Sequence, residues 1–303
     1  MMSNFDDLLN NAPAETKSRP QLSKEEYAEK KKVEREEVFA LSDQMAMEVS
    51  TDGNKFQQYL DVQAVNGRYS AVNTLLIMAK NPKASHLGSF DYWKEKNCSV
   101  KPKQTAIAIL EPHEYQKEDG SPGVGYNVKK VFDISQVDTR KLRITPPQQP
   151  SERQILTALI PPKSSQYPMI SGVDELPDDL GAMYNPETHT ISIRKGMGFD
   201  DTFRALSQEI AFADFVTRTD APADPAFSAY CTSYLLCKKY GADTKDFSFE
   251  GIVDVFEGKG LQEEKAQVVK GELSQIRDVV ETISGRMMRQ IEQAKAVKSQ
   301  EAR

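Results

Sequence analysis

The sequence has few of the side chains that build disulfide frameworks or metal centres. Its 303 residues include three cysteines and three histidines. The six residues are Cys98, Cys231, Cys237, His86, His113 and His189. The cysteines are odd in number and form no Cys-x-x-Cys pair, which fits a reducing compartment. The histidines are scattered and never one helical turn apart, which argues against a histidine-rich metal site.

Long apolar runs and nucleotide-binding loops are also missing. No stretch approaches the roughly 20 apolar residues that span a bilayer, and the first residues lack a basic segment followed by an apolar one. The chain contains no GxxxxGKS/T, GxGxxG or GxSxG pattern. These absences predict a cytoplasmic protein that has no membrane partner and no cofactor.

The net charge of -6 is unevenly distributed along the chain. Residues 55–145 carry 14 basic and 9 acidic side chains, whereas residues 1–54 carry 7 and 12 and residues 146–303 carry 18 and 24. Charges interact over about 10 Å in physiological salt, so each part of the molecule presents its own field. The basic middle segment is therefore the part suited to a polyanion.

Helical and strand patterns along the chain predict an α+β protein. Ser23 begins a long helix, and Asn54 and Ser70 can cap two further helices. The strands TAIAILEP and YNVKKVFDI flank a polar Gly- and Pro-containing stretch, which predicts a β-hairpin with a long tip. GAMYNPETHTISIRKG predicts a second hairpin, followed by amphipathic helices and a long terminal helix.

The composition predicts two domains separated by a linker, since 303 residues exceed one typical core. DTRKLRITPPQQPSE combines charge with proline and has the character of a linker. The predicted organisation is a disordered tail over 1–22, a small helical and β-hairpin domain over 23–140, a linker over 141–152, a mostly helical domain with a small antiparallel sheet over 153–295, and a tail over 296–303.

The segment 55–140 resembles the N-terminal domain of ArdC-like antirestriction proteins, which also occurs in LtrC-like and other proteins of plasmids and conjugative elements. The matching positions, in order, are Tyr69-Ser70, Asn73, Leu75-Leu76-Ile77, Pro82, Gly88, Trp93, Val100-Lys101, the strand from Ile107 to Pro112, and VFDISQVDT at 131–139. The turn Lys101-Pro102-Lys103-Gln104 departs from the Lys-Lys-Gly-Glu type of sequence usual in that family.

The resemblance implies binding of single-stranded DNA, and the residues themselves allow it. Between 80 and 103, six lysines oppose only Asp91 and Glu95, and aromatic rings interleave with them. Backbone phosphates need cations, and unpaired bases need flat faces on which to stack. The predicted contact residues are Arg68, Tyr69, Asn73, Lys80, Lys83, Tyr92, Trp93, Lys94, Lys96, Lys101 and Lys103.

Two of these residues have an equally plain structural interpretation. Trp93 is the only tryptophan, and a lone tryptophan is more often a core residue than a stacking platform. Asn73 can contact a nucleic acid, but it can also cap or brace the fold. The prediction therefore depends on the cluster of residues and not on any single member.

The second half resembles the zincin-like metallopeptidase domain, similar to ImmA/IrrE-like peptidases, that follows the ArdC-type domain in longer relatives. The resemblance runs through the hairpin, the helix ALSQEIAFAD and a helix ending near Gly241. A zinc peptidase needs two histidines one turn apart, a third ligand and a glutamate. Here the HExxH box is replaced by Gln208-Glu209-Ile210-Ala211-Phe212, and Tyr230 stands where an acidic ligand is expected.

Without ligands for a metal, Glu209 cannot activate water near neutral pH. The sequence therefore predicts a pseudo-metallopeptidase that binds no metal, in which Gln208, Glu209, Phe212 and Tyr230 are vestigial. A second interpretation is that ALSQEIAFAD is an ordinary amphipathic helix without a catalytic ancestor. Both interpretations predict that the chain is not an enzyme.

Taken together, these patterns predict a protein of a mobile genetic element or phage that coats or protects single-stranded DNA, as in antirestriction. Two other functions remain open. The acidic second half can act as an interaction or regulatory module for a host or element-encoded protein, or the chain can be a residual metal-dependent hydrolase.

Overall fold

The computed structural model describes residues 23–117, 119–140, 142–143, 149–257 and 264–301, with the backbone alone for 297–301. The predicted tail over 1–22, residues 141 and 144–148 of the predicted linker, and residues 302–303 lie outside the described residues. The fold class is α+β, as the sequence predicts.

The first half of the chain places four helices around a long hairpin. Its helices are α1 (Lys24–Val49), α2 (Gly53–Val65), α3 (Ala71–Lys80) and α4 (Phe90–Glu95). Its strands are β1 (Leu87–Ser89), β2 (Ser99–Val100), β3 (Ile107–Gln116), β4 (Pro122–Asp133) and β5 (Val137–Asp138).

Side-chain caps fix where these helices begin. Ser23 and Glu26 form a capping box at α1, and the Ser70 hydroxyl accepts the Asn73 N–H at α3, both as predicted. The cap of α2 is Asp52 and not Asn54, because the Asp52 carboxylate accepts two backbone N–H groups at the first turn. The prediction of Asn54 was therefore wrong by two residues.

The hairpin of β3 and β4 is longer than its hydrophobic pattern indicates. Pairing runs from Ile107 opposite Val131 to Gln116 opposite Pro122. In the outer part, a Cβ atom on Gly123 would lie 2.7 Å from the Tyr115 ring, and one on Gly125 would lie 2.7 Å from the His113 ring. Aromatic rings therefore cover the two glycines, which extends the ladder where a loop was predicted.

The second half is mostly helical, with one small sheet. Its helices are α5 (Glu152–Leu159), α6 (Phe199–Thr217), α7 (Pro225–Tyr240), α8 (Ile252–Phe256) and α9 (Lys265–Glu301). Its strands are β6 (Met169–Val173), β7 (Ala182–Asn185) and β8 (Thr190–Arg194).

The sheet of the second half is mixed and not purely antiparallel. Strands β7 and β8 form the predicted antiparallel hairpin, but β6 adds to β8 in parallel, giving the order β6-β8-β7. The sequence of β6, MISGV, is short and lies mostly at the surface, so it lacks the alternation that predicts a strand. The predicted small antiparallel sheet is therefore present, and the parallel strand β6 is an addition to it that the sequence pattern does not indicate.

One apolar core joins the two halves of the chain. The Phe56 ring of α2 packs against Phe227, Phe249 and Phe256, with ring centroids 5.5–6.4 Å apart. The Tyr234 hydroxyl of α7 donates to the Asp61 carboxylate at 2.7 Å. The predicted domains are therefore packed together, and the boundary between them stays a prediction. None of the described helices combines the length and apolar character that a membrane crossing requires.

The turn after β2 provides a stability prediction. Lys103 adopts the left-handed conformation with φ of 61°. This conformation costs an L-residue other than glycine roughly 1–2 kcal/mol. Glycine avoids this cost, but part of the gain is lost because glycine gives the unfolded chain more conformational freedom. We expect Lys103→Gly to raise the free energy of unfolding by about 0.5–1 kcal/mol in urea titrations.

Lys101→Gly is the matched control for this prediction. Lys101 is not among the residues with positive φ, and its Nζ donates to the Ser135 carbonyl at 2.8 Å. This substitution should therefore lower stability. A Lys103→Gly protein that is no more stable than the wild type would contradict the argument.

Candidate nucleic-acid interface

The side chain of Asn73 fastens α3 to the outer edge of β3. Its Nδ2 donates to the Leu110 carbonyl at 2.9 Å, and its Oδ1 accepts the Leu110 N–H at 2.8 Å. Strand β3 has β4 on one side only, so these backbone groups lack a partner within the sheet. Asn73 is 8% exposed. Its amide thus braces the fold, which is the structural role considered above.

An open cavity of about 470 Å³ lies between this edge of β3, the turn before α3 and the β1–α4 segment. We call it the hairpin cavity. Its wall also includes Gly88, Pro112, Glu111 and Lys129. Among the predicted contact residues, it brings together Arg68, Tyr69, Asn73 and Tyr92.

The Arg68 guanidinium packs against the Tyr69 ring at the wall of the hairpin cavity. The Arg68 guanidinium lies 4.9 Å from the centre of the Tyr69 ring, and its Nη2 donates to the Tyr69 hydroxyl at 3.0 Å and to the Leu87 carbonyl. Arg68 forms no ion pair with another described residue. Its charge is therefore free to meet an anion.

Tyr92 is positioned by close contact with glycine. A Cβ atom on Gly88 would lie 2.1 Å from Tyr92 Cδ1, so the ring can rest here only over a glycine. The Tyr92 hydroxyl shares a 2.7 Å hydrogen bond with His86 Nε2. Burial lowers the pKa of His86, and the nearby charge of Arg68 lowers it further. The close approach of the Tyr92 ring is thus the structural reason for glycine at position 88.

The six predicted lysines are exposed, but they do not line the hairpin cavity. They are Lys80 and Lys83 at the end of α3, Lys94 and Lys96 at α4, and Lys101 and Lys103 after β2. None of them forms an ion pair with another described residue. Lys96 Nζ lies 5.9 Å from the centre of the Tyr92 ring. The structure therefore separates most of the lysines from the Arg68 and Tyr69 group.

Trp93 is a core residue, which corrects the prediction that it stacks on a base. Its side chain is fully buried, and the indole Nε1 donates to the Phe132 carbonyl at 3.0 Å. It packs with Cys98 and Val137 in a small satellite core. A ring with no exposed face cannot stack on a nucleotide.

A second cavity, which no sequence pattern predicts, adjoins the first. It has a volume of about 700 Å³ and shares Arg68, Tyr69 and Asn73 with the hairpin cavity. Its other walls include Phe39 and Tyr126, whose rings are 5.7 Å apart, and Arg277 of α9. No local pattern could have indicated this site, because its residues are brought together from α1, the hairpin and α9.

The segment Gln208-Glu209-Ile210-Ala211-Phe212 makes structural contacts between α6 and the sheet. Glu209 Oε2 accepts the Tyr184 N–H of β7 at 2.7 Å, which joins α6 to the sheet. Burial raises the pKa of Glu209, and this hydrogen bond partly opposes the shift. The Phe212 ring packs edge-on against Tyr184, with centroids 6.3 Å apart. The Tyr184 hydroxyl in turn shares a 2.8 Å hydrogen bond with His189 Nδ1.

The donor set does not fit a zinc peptidase site. Phe212 offers no donor, and Gln208 offers only a neutral amide. The Tyr230 hydroxyl accepts the Ser248 N–H at 2.8 Å, and its ring lies 4.8 Å from the Phe247 ring. Among the described residues, no three His, Cys, Asp or Glu side chains are grouped to hold a metal ion.

Comparisons with known proteins give structural similarities only. No protein-family model and no curated protein matches the chain. The chain is similar to the metal-free crystal structure of the antirestriction protein ArdC from the R388 plasmid, at 13% identity and a TM-score of 0.48, covering 73% of this chain and 86% of that one. It is also similar to the Mn(II)-bound structure of that protein, at 14% identity and a TM-score of 0.48, covering 76% and 97%.

The buried indole predicts how a Trp93 variant behaves. Trp93→Phe removes the hydrogen bond from the indole to the Phe132 carbonyl and creates a small void, so we expect a loss of roughly 2–4 kcal/mol in the free energy of unfolding. The affinity for an oligonucleotide should stay unchanged in the folded variant. In the wild type, tryptophan emission should be blue-shifted and insensitive to iodide and to added DNA. Quenching of this emission by DNA would show that the ring is accessible.

The raised pKa of Glu209 predicts a pH dependence. Because burial disfavours the carboxylate in the folded state, the folded protein holds this proton to higher pH than the unfolded chain. Wild-type stability should therefore fall as pH rises from about 4.5 through the folded-state pKa. Glu209→Gln retains an oxygen acceptor for the Tyr184 N–H and should lack this fall, gaining stability at pH 7. Parallel urea titrations of both proteins from pH 4 to 7 would show it; identical pH profiles would contradict it.

Proposed function

We propose that this chain binds single-stranded DNA at the hairpin cavity. The observation that carries the proposal is the meeting of the free Arg68 cation with the rings of Tyr69 and Tyr92 in one open cavity. Unpaired nucleic acid needs both features, since cations neutralise phosphates and flat rings stack on bases. The residues come from two separate segments, and Asn73 holds the first of them, which leads into α3, against the hairpin.

The exposed lysines of the first half support a second, less specific contribution. Six lysines between 80 and 103 have no carboxylate partner among the described residues. Such cations attract a polyanion over roughly a Debye length and make its binding depend on salt. In this proposal the lysines attract and guide the strand, while the hairpin cavity holds the nucleotides.

In this proposal the second half of the chain catalyses no reaction. Gln208, Phe212 and Tyr230 supply no metal ligand set, and Glu209 holds β7 in place. The protein would then act by occupancy, covering single-stranded DNA in the cytoplasm, as an antirestriction factor of a mobile element or phage would. The family resemblance of the first half is the support for this biological setting.

Fluorescence anisotropy with a labelled oligonucleotide tests the binding site. Tyr69→Ala removes a stacking ring and should weaken binding by about 5- to 150-fold, since each stacked base contributes roughly 1–3 kcal/mol. Tyr69→Phe keeps the ring and should bind nearly as tightly as the wild type. Tyr27 is an exposed tyrosine outside the cavity, and Tyr27→Ala should have no effect.

Two results would contradict the proposal. The first is that the wild-type protein shows no salt-sensitive binding of the oligonucleotide at low ionic strength. The second is that Tyr69→Ala and Tyr27→Ala weaken binding equally, because such binding does not depend on the hairpin cavity. Binding to a protein partner that survives nuclease treatment, with no DNA binding, would instead favour an interaction module.

A further inference from the structure

A third cavity, of about 380 Å³, lies where the first half meets α7 and α9. Three cationic side chains line it, namely Arg68 of the turn before α3, Lys239 of α7 and Arg277 of α9. Glu281 is the one carboxylate among its lining residues. The balance of charge in the wall is therefore positive, which suits an anionic ligand.

The cations of this cavity are held in place by the fold. Lys239 Nζ donates to Ser284 Oγ at 2.9 Å, and burial lowers the pKa of Lys239. Arg277 donates to Asp278 and to Glu281, each at 2.9 Å. The Arg277 Nε atom is buried and has no hydrogen-bond partner among the described residues. An anion that replaced Glu281 would therefore find a guanidinium already positioned.

This third cavity adjoins the proposed DNA site. Arg68 lines the hairpin cavity, the 700 Å³ cavity and the third cavity, and Arg277 lines the last two. A polyanion in the hairpin cavity that continues past Arg68 therefore meets Arg277 next. Lys239 lines the third cavity but neither of the other two.

We propose that Arg68, Arg277 and Lys239 form a seat for a backbone phosphate of the bound strand. The second half of the chain thereby takes part in binding through α7 and α9. This inference rests on the proposed function, and it adds contacts that no residue between 80 and 103 supplies. The ligand chemistry is a phosphodiester, and Glu281 is the group that the phosphate displaces.

Two variants of opposite sign test the seat. Arg277→Gln removes a cation and should weaken binding of a 20-nucleotide strand by about tenfold. The affinity of this variant should also depend less steeply on salt concentration, by roughly one released counterion per lost phosphate contact. Glu281→Gln removes the competing carboxylate from a side chain that is 51% exposed, so it should fold normally. This variant should strengthen binding. Lys239→Met, which keeps an unbranched chain, should weaken it.

Strand length and free phosphate separate the possible outcomes. A strand of about four nucleotides lies within the range of a single binding fold, and it should bind wild type and Arg277→Gln equally because it fills only the hairpin cavity. Inorganic phosphate at millimolar concentration should not compete with the 20-nucleotide strand.

The failure of the seat is distinguishable from the failure of the proposed function. If wild type binds the long strand and both Arg277→Gln and Glu281→Gln bind it unchanged, the seat is wrong and the hairpin cavity stands. Competition by inorganic phosphate without any effect of these variants on the strand would mean a site for free phosphate, which also overturns the seat. If wild type binds no strand at all, the proposed function itself fails.

Discussion

The paired hydrogen bonds between Asn73 and Leu110 are the constraint on which the candidate site depends. An edge strand exposes unpaired backbone groups, and a primary amide can satisfy an N–H and a carbonyl at once. By closing this pair, Asn73 sets the distance between α3 and β3. The turn that carries Arg68 and Tyr69 immediately precedes α3, so its position against the hairpin is fixed by the same contact. The hairpin cavity is the space that this arrangement leaves open.

A similar contact organises the second half. Glu209 joins α6 to the backbone of β7 through the Tyr184 N–H, as Asn73 joins α3 to β3. The residue that resembles a catalytic glutamate is thus used to hold a helix against a sheet. Phe212 then packs on Tyr184, where a metal ligand would be expected from the peptidase pattern.

Local patterns predicted much of the fold, because caps and periodicity are properties of neighbouring residues. The caps at Ser23 and Ser70 and both hairpins follow from such signals. The burial of Trp93 and the presence of Arg68 and Arg277 in the wall of one cavity depend on contacts between distant segments. A cluster of lysines in the sequence likewise does not reveal which of them share a cavity. The candidate site in the structure therefore lies around Arg68 and Tyr69 and not at the lysine-rich stretch that the sequence indicates.

Photo-crosslinking tests the central claim most directly. A single-stranded oligonucleotide carrying 5-iodouracil at each position in turn would be irradiated with the full chain, and the attached residues identified by mass spectrometry. Binding at the hairpin cavity predicts crosslinks to Tyr69 or Tyr92, the rings that line it. Crosslinks confined to other surfaces of the chain, with none at either tyrosine in a complex that binds tightly, would contradict it.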